Sequence, residues 1–133
     1  MKFPNKNNID VDSFLDGYLF QLEKAYKFID RNELTKITDK ISQVIKEEKI
    51  IYTCGNGGSA AIAEHFIADF NKGASIGTKI SPKFYSLSSN IPTLTAISND
   101  IGYEEIFSFQ LSGYGNEGDA LISVSSSGNS PNI

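Results

Sequence analysis

Three observations predict an α/β fold built on a parallel sheet. Short β-branched or aromatic runs occur at Ile50-Ile51-Tyr52-Thr53-Cys54, Lys83-Phe84-Tyr85-Ser86-Leu87 and Ala120-Leu121-Ile122-Ser123-Val124. Stretches of helical character separate them, and small-residue loops follow the first and third runs. Strand, loop, helix, strand, loop, helix, strand is the alternation that builds a parallel sheet. Two amphipathic stretches come first, so we divide the chain into an N-terminal helical segment at residues 1–48 and a sheet domain at residues 49–133. The third strand delivers a glycine–serine loop with no helix after it, so the fold is expected to be truncated at its C-terminal end.

In the first stretch Val11, Leu15, Tyr18, Leu22, Ala25 and Ile29 recur at the heptad period. Ser13 followed by Asp16, or Asp12 just before it, can cap its start. Asp30-Arg31-Asn32 reads as a break, with Asn32 as the next N-cap. Leu34, Ile37, Ile41, Val44 and Ile45 form a second stripe, which ends in the charged run Lys46-Glu47-Glu48-Lys49. Both stripes suit an ordinary core. Phe14, Leu19, Phe20 and Phe28 add apolar surface outside the first seam, which suits a helix packing on another subunit.

The period then changes. Residues 50–54 are bounded by glycine and read as a buried strand. Residues 60–70 read as a helix. Residues 93–97 and 103–111 read as helical pieces, broken by Asn99-Asp100-Ile101-Gly102.

Composition narrows the function classes. A chain of 133 residues that is 40% hydrophobic and 21% charged is globular. A formal net charge of -4 disfavours a nucleic-acid surface. One cysteine allows no internal disulfide and suits a reducing compartment. No apolar run approaches the roughly 20 residues of a membrane span, and Met1-Lys2-Phe3-Pro4-Asn5-Lys6-Asn7-Asn8 lacks a signal-peptide core. A cytoplasmic protein without nucleic-acid or membrane partners is the expectation.

The chemistry-bearing residues sit in the loops. Gly55-Asn56-Gly57-Gly58-Ser59 joins the first strand to a helix. Glycines let the backbone turn and approach a ligand closely, and the helix start offers unsatisfied N–H groups and the positive dipole end to an anion. Ligands of such sheets bind outside the carboxyl ends of the strands. The loop lacks a Walker A lysine and the spacing of a dinucleotide fingerprint, which disfavours ATP and NAD. A plain turn remains the alternative. The loop Ser125-Ser126-Ser127-Gly128-Asn129-Ser130-Pro131-Asn132 follows another strand, and its hydroxyls and N–H groups can surround a phosphate. Serines also cap and turn chains. The two loops together point to a phosphorylated ligand without a nucleotide.

The runs CGNGGSAAIAEHFIADF, LTAISNDIGYEEIFSFQL and GDALISVSSSGNSPNI together resemble the sugar isomerase (SIS) domain family, and within it the phosphoheptose isomerases, over roughly residues 11–133. The resemblance implies a three-layer, flavodoxin-like SIS domain behind two N-terminal helices. It implies an aldose–ketose isomerase acting on a seven-carbon sugar phosphate, sedoheptulose 7-phosphate, in heptose and lipopolysaccharide precursor synthesis. It also implies a homotetramer with active sites at subunit boundaries. Carried onto matching positions, it gives Asn56, Gly57, Gly58 and Ser59 contacts to substrate, and Asn99 and Asp100 sugar hydroxyls. Ser125, Ser126, Ser127 and Ser130 would hold the phosphate. His65 and Asp69 fall where the family has a histidine and a glutamate that bind one Zn2+ per subunit, the glutamate also contacting substrate and serving as base. Positions four apart share a helix face, so the pair can converge on one ion. Aspartate for glutamate shortens the reach by one methylene, about 1.5 Å. The family's further zinc ligands and second histidine are absent from these residues. Glu64, Glu104 and Glu105 read as carboxylates off the metal-facing stripe or on the surface. The rival reading is a non-catalytic SIS module that binds a sugar phosphate or a replication initiator.

Overall fold

The computed structural model describes residues 10–133. Met1 to Asn8, read above for a signal-peptide core, lie outside the described residues. The chain divides into two compact units, residues 1–38 and residues 39–133.

The first unit holds α1 (Val11–Lys27) and the beginning of α2 (Arg31–Lys46). Asp10, rather than Asp12 or Ser13, caps α1. Its carboxylate accepts from the Ser13 N–H at 2.9 Å and the Ser13 hydroxyl at 2.7 Å. Those bonds hold the Asp10 carboxyl below its ordinary value. Asp30 likewise replaces Asn32 as the cap of α2, accepting from the N–H groups of Asn32 and Glu33. In both cases an aspartate stands two or three residues ahead of the orphan donors, which suits its short acceptor-only side chain. No residue of α1 is buried, and Val11, Leu15, Leu19 and Leu22 all lie open.

The second unit is a three-layer sandwich. Strands β1 (Ile50–Gly55), β2 (Lys83–Ser86) and β3 (Ala120–Val124) form a parallel sheet in the order β2-β1-β3. Ile51 lies opposite Phe84 on one side and Ala120 on the other. Alternate residues of β1 serve different layers, as the strand period requires. Ile51 joins Val44 and Phe84 in one buried cluster, with Ile41, Ile45, Phe66, Ile67, Phe70 and Ile122 packed around it. Tyr52 and Cys54 join Leu87, Ile97, Ile106 and Phe107 in the other. Phe70 stacks on Phe84 with ring centroids 4.1 Å apart. On β2, the Asn71 amide accepts from the Phe84 N–H and donates to the Phe84 carbonyl, both at 2.8 Å. It thereby occupies backbone groups that would otherwise invite a further strand.

Helix α3 (Gly58–Ile67) starts two residues earlier than its apolar pattern predicts, and ends sooner. From Ala68 to Ala74 the chain winds as a wider π-helix. Helix α4 (Ile91–Asp100) is capped by the Asn90 carboxamide on the Thr93 N–H and carries Pro92 in its first turn. The break expected at residues 99–102 falls later. Asn99 and Asp100 complete α4, which closes where the Ile101 and Gly102 N–H groups share the Ile97 carbonyl. The next helical piece divides into a 3₁₀ turn (Tyr103–Glu105) and α5 (Ser108–Tyr114).

Candidate functional site

The first loop is built by close approach. At Gly55 an added Cβ would meet the Ser59 carbonyl oxygen at 2.5 Å, so only glycine lets β1 run directly under the first turn of α3. Gly57 then takes φ +54°, a left-handed conformation that reverses the chain into the helix. The buried Thr53 hydroxyl donates to the Ala63 carbonyl at 3.0 Å, fixing α3 on β1 from below. On the other side Ser88, just beyond β2, bonds Gly55 twice, accepting from its N–H at 3.1 Å and donating to its carbonyl at 3.0 Å.

Above these elements lies a cavity of about 500 Å³. Gly55, Asn56 and Gly57 line one wall, Ser88 the floor side, and Thr95, Ser98 and Asn99 of α4 the opposite wall, with Tyr103 at the rim. The structure thus brings Asn56, Gly57 and Asn99 together. Gly58 and Ser59 instead open α3, where the Ser59 N–H is spent on the Asn56 carbonyl at 2.9 Å. Asp100 is exposed and accepts from the Asn99 amide at 2.7 Å. A carboxylate in the last turn opposes the helix dipole, so helix stability supplies no reason for Asp100 to be there. Asp100 is not among the residues that line the cavity.

The serine loop folds onto itself. The Ser125 hydroxyl lies 3.5 Å from that of Ser127 and 3.4 Å from that of Ser130, and it accepts from the Gly128 N–H at 3.1 Å. Ser126 points into solvent apart from them. Three hydroxyls and a cluster of backbone donors converge with no cation among them, which is a neutral environment for an oxyanion.

The two loops are joined by a contact for which no local pattern in the chain is a signal. Asn56 donates to the Asn132 carboxamide oxygen at 2.7 Å, and Asn132 donates back to the Asn56 oxygen at 2.9 Å. The Tyr103 hydroxyl donates to that same Asn56 oxygen at 2.9 Å. Asn132 is buried. Sequence reasoning also passed over Ser88, Thr95, Ser98 and Tyr103. Ser88 could have been found as a small polar residue following a strand, the same signal that exposed Ser125.

His65 and Asp69 lie elsewhere on the unit. They border a separate concavity of about 360 Å³ with Ala61, Ile62 and Phe66, at the junction of α3 and the π-helix. His65 Nε2 and Asp69 Oδ1 are 3.5 Å apart, and both side chains are more than half exposed. Two donors about 2.1 Å from a tetrahedral ion stand about 3.4 Å apart, so the pair has the bite of two zinc ligands. Catalytic zinc ordinarily takes three protein ligands, and among the described residues no group of three or more metal-ligating side chains exists. The pair therefore fits part of a metal centre. Of the neighbouring carboxylates, Glu64 keeps one oxygen buried without a partner. Glu105 accepts from Ser108 and so holds the start of α5. Cys54 is buried, and burial pushes its thiol up against the weaker effect of Ser123, which disfavours the thiolate.

A parallel α/β sheet with small, donor-rich loops after β1 and β3 defines the class of fold. The sequence profile of the SIS domain matches residues 18–133, and the chain belongs to that family. It is 36% identical over 126 residues to a phosphoheptose isomerase of Fusobacterium nucleatum, covering 91% of this chain and 63% of that protein. The solved phosphoheptose isomerase of Neisseria gonorrhoeae superposes with a TM-score of 0.75 at 31% identity, over 92% of this chain and 62% of that one. A phosphoheptose isomerase from Francisella tularensis shares the fold with a TM-score of 0.81 at 23% identity, over 93% of this chain and 66% of that one. The chain thus spans about three-fifths of the length of these relatives. Among the described residues no helix is long and apolar enough to cross a membrane.

Proposed function

We infer that the protein is a cytoplasmic aldose–ketose isomerase that converts sedoheptulose 7-phosphate to D-glycero-D-manno-heptose 7-phosphate, a precursor for bacterial envelope polysaccharide. The observation that carries this reading is the pairing of a cavity at the end of β1, lined in part by Asn56, Ser88, Thr95, Ser98 and Asn99, with the converging hydroxyls of Ser125, Ser127 and Ser130, joined through Asn56 and Asn132. The names of the relatives support it. The serine loop would anchor the phosphate, and that remote binding would position the reacting end. Asn99 and Asp100 would orient hydroxyls.

Asp69 acts as base in this scheme. It takes the proton from carbon 1, the C–H electrons form the carbon 1–carbon 2 double bond, and the carbonyl electrons move onto oxygen 2 to give the enediolate. The proton is then returned to carbon 2 while the hydroxyl proton passes from oxygen 1 to oxygen 2, so that the aldehyde forms at carbon 1 and a hydroxyl at carbon 2. His65 and Asp69 would hold one Zn2+ as two of its ligands, and a bound zinc stabilises negative charge on such oxygens. On one chain this pair and the cavity occupy separate concavities. That separation fits a homotetramer whose sites are completed between subunits, as does the exposed apolar surface of α1.

Aspartate in place of the family's glutamate favours a second reading, a sugar-phosphate sensor that keeps the loops and lacks the base. Proton NMR of sedoheptulose 7-phosphate in deuterated buffer, with and without zinc, separates the two. Deuterium entering the carbon beside the carbonyl supports the isomerase. Binding without exchange by the protein at its natural full length supports the sensor.

A further inference from the structure

We propose that Tyr103 and Asn132 are positioning residues that lock the Asn56 carboxamide, so that the glycine loop and the serine loop respond to a ligand as one cradle. A carboxamide has two N–H donors and an oxygen with two acceptor sites. At Asn56 the oxygen accepts from both Asn132 and Tyr103, and one N–H is given to Asn132. Three of four positions are filled by the protein, leaving Asn56 a single N–H for a ligand. Asn56 therefore reads an acceptor oxygen, and its own orientation is set by residues 47 and 76 positions away in the chain.

The three partners come from three different segments. Asn56 follows β1, Tyr103 opens the 3₁₀ turn after α4, and Asn132 closes the serine loop after β3. Asn132 is buried while the serines ahead of it face outward or are half-buried, so its amide has no water to replace Asn56 with and loses heavily if the pair opens. Tyr103 is half exposed and lines the cavity. A sugar entering there would meet the lock at its rim, and a phosphate ordering Ser125, Ser127 and Ser130 would stiffen it from the opposite end. What the cradle holds rests on the sugar-phosphate reading given above. The lock itself does not.

Amide hydrogen exchange in the ligand-free protein at natural full length tests the lock directly. The reporters are the Ser59 and Ala60 N–H groups, which donate to the Asn56 backbone carbonyl. Tyr103→Phe removes one bond without leaving a cavity, and should speed exchange there by about fivefold. Asn132→Ala removes two and should exceed tenfold, roughly. The β1 amides should keep wild-type rates in both, which a general loss of stability would not allow. Unchanged Ser59 and Ala60 exchange in Tyr103→Phe overturns the lock even where Asn132→Ala fails to fold. Titration with inorganic phosphate supplies a second readout. In the wild type the Gly128, Asn129 and Ser59 amide signals should move together. In Asn132→Ala those of Gly128 and Asn129 should still move while Ser59 no longer does. If Ser59 follows phosphate as before, coupling does not run through Asn132. If phosphate moves none of these signals in the wild type, the sugar-phosphate reading fails, and the lock stands or falls by the exchange rates.

Discussion

Gly55, Gly57 and Gly58 stand in one loop, yet the structure asks three different things of them, and alanine substitution separates these demands. A Cβ on Gly55 would sit 2.5 Å from the Ser59 oxygen, 2.6 Å from the Ser59 carbonyl carbon and 3.0 Å from the Ala60 nitrogen. All three are backbone atoms, so no rotamer change relieves the clash. Ordinary contact begins near 3.4 Å, so the first turn of α3 must retreat by 3.4 minus 2.5, or 0.9 Å. That movement strains the bond from Thr53 to Ala63 and shifts the wall of the cavity. Overpacking of this kind costs about 1–3 kcal/mol, a fall of roughly 4–12 °C in Tm for a domain of this size. At Gly57 an added Cβ meets nothing, but φ is +54°, which costs a side chain about 1–2 kcal/mol. At Gly58 the space is open and φ is ordinary, so alanine should leave stability unchanged or raise it by up to about 1 kcal/mol. Thermal unfolding followed by circular dichroism gives the order directly. Gly55→Ala melting with the wild type, or Gly58→Ala falling as far as Gly55→Ala, would refute the reasoning from close approach.

Substitutions at three other positions probe the rest of the chain. Under the proposed isomerase reading, Asp69→Asn keeps the shape but removes the proposed base, so deuterium entry into sedoheptulose 7-phosphate should fall at least about a hundredfold, whereas Asp69→Glu should retain or raise it; equal rates in all three proteins would remove Asp69 from the chemistry. Asp119 ties the start of β1 to the loop between α5 and β3, accepting from the Ile50 and Asn116 N–H groups. Burial alone would raise its carboxyl, but those bonds and Lys49 outweigh burial and hold it below the ordinary value of about 3.9. A carboxyl lowered by folding contributes its stability above the unfolded value and loses it as the pH falls through the folded value. Acid unfolding of Asp119→Asn should therefore start from a lower stability at pH 7 and be less steep below about pH 4 than the wild type, and parallel curves would show that Asp119 contributes nothing. Finally, Leu22 lies open on α1, so Leu22→Glu should reduce the particle size in gel filtration if that surface joins subunits.

The sheet was legible because its signals are local. Each strand is a short apolar run bounded by small residues, and burial on both sides of β1 produces the continuous Ile50-Ile51-Tyr52 pattern. The loops were legible for the same reason, since Gly57 and Ser125 follow directly from strand ends. Boundaries drifted wherever a polar side chain chose between neighbouring positions. Asp10 and Asp30 took the caps assigned to Asp12 or Ser13 and to Asn32, and no apolar period records such a choice. The π-helix after Ile67 left no trace either, because Phe66, Ile67 and Phe70 satisfy an α-helical period as readily as a wider one.

What the sequence could not carry is the joining of distant segments, and that is where the site acquires its form. Asn56 and Asn132 are ordinary turn residues by local criteria, and only the parallel order β2-β1-β3 brings the ends of β1 and β3 side by side. The same topology explains why His65 and Asp69 face another concavity. His65 lies in the last turn of α3 and Asp69 in the π-helix after it, both away from the first loop, whereas Ala60 lines the cavity and Ala63 packs on Thr53. A helix that leaves the ligand loop at its N-terminus can offer an anion its first turn, but its later turns point past that ligand. Under the proposed sugar-phosphate reading, for those turns to act on the ligand of the loops its reacting end must reach around the helix or belong to a site shared with a second copy, and the exposed His65–Asp69 pair is open to either approach.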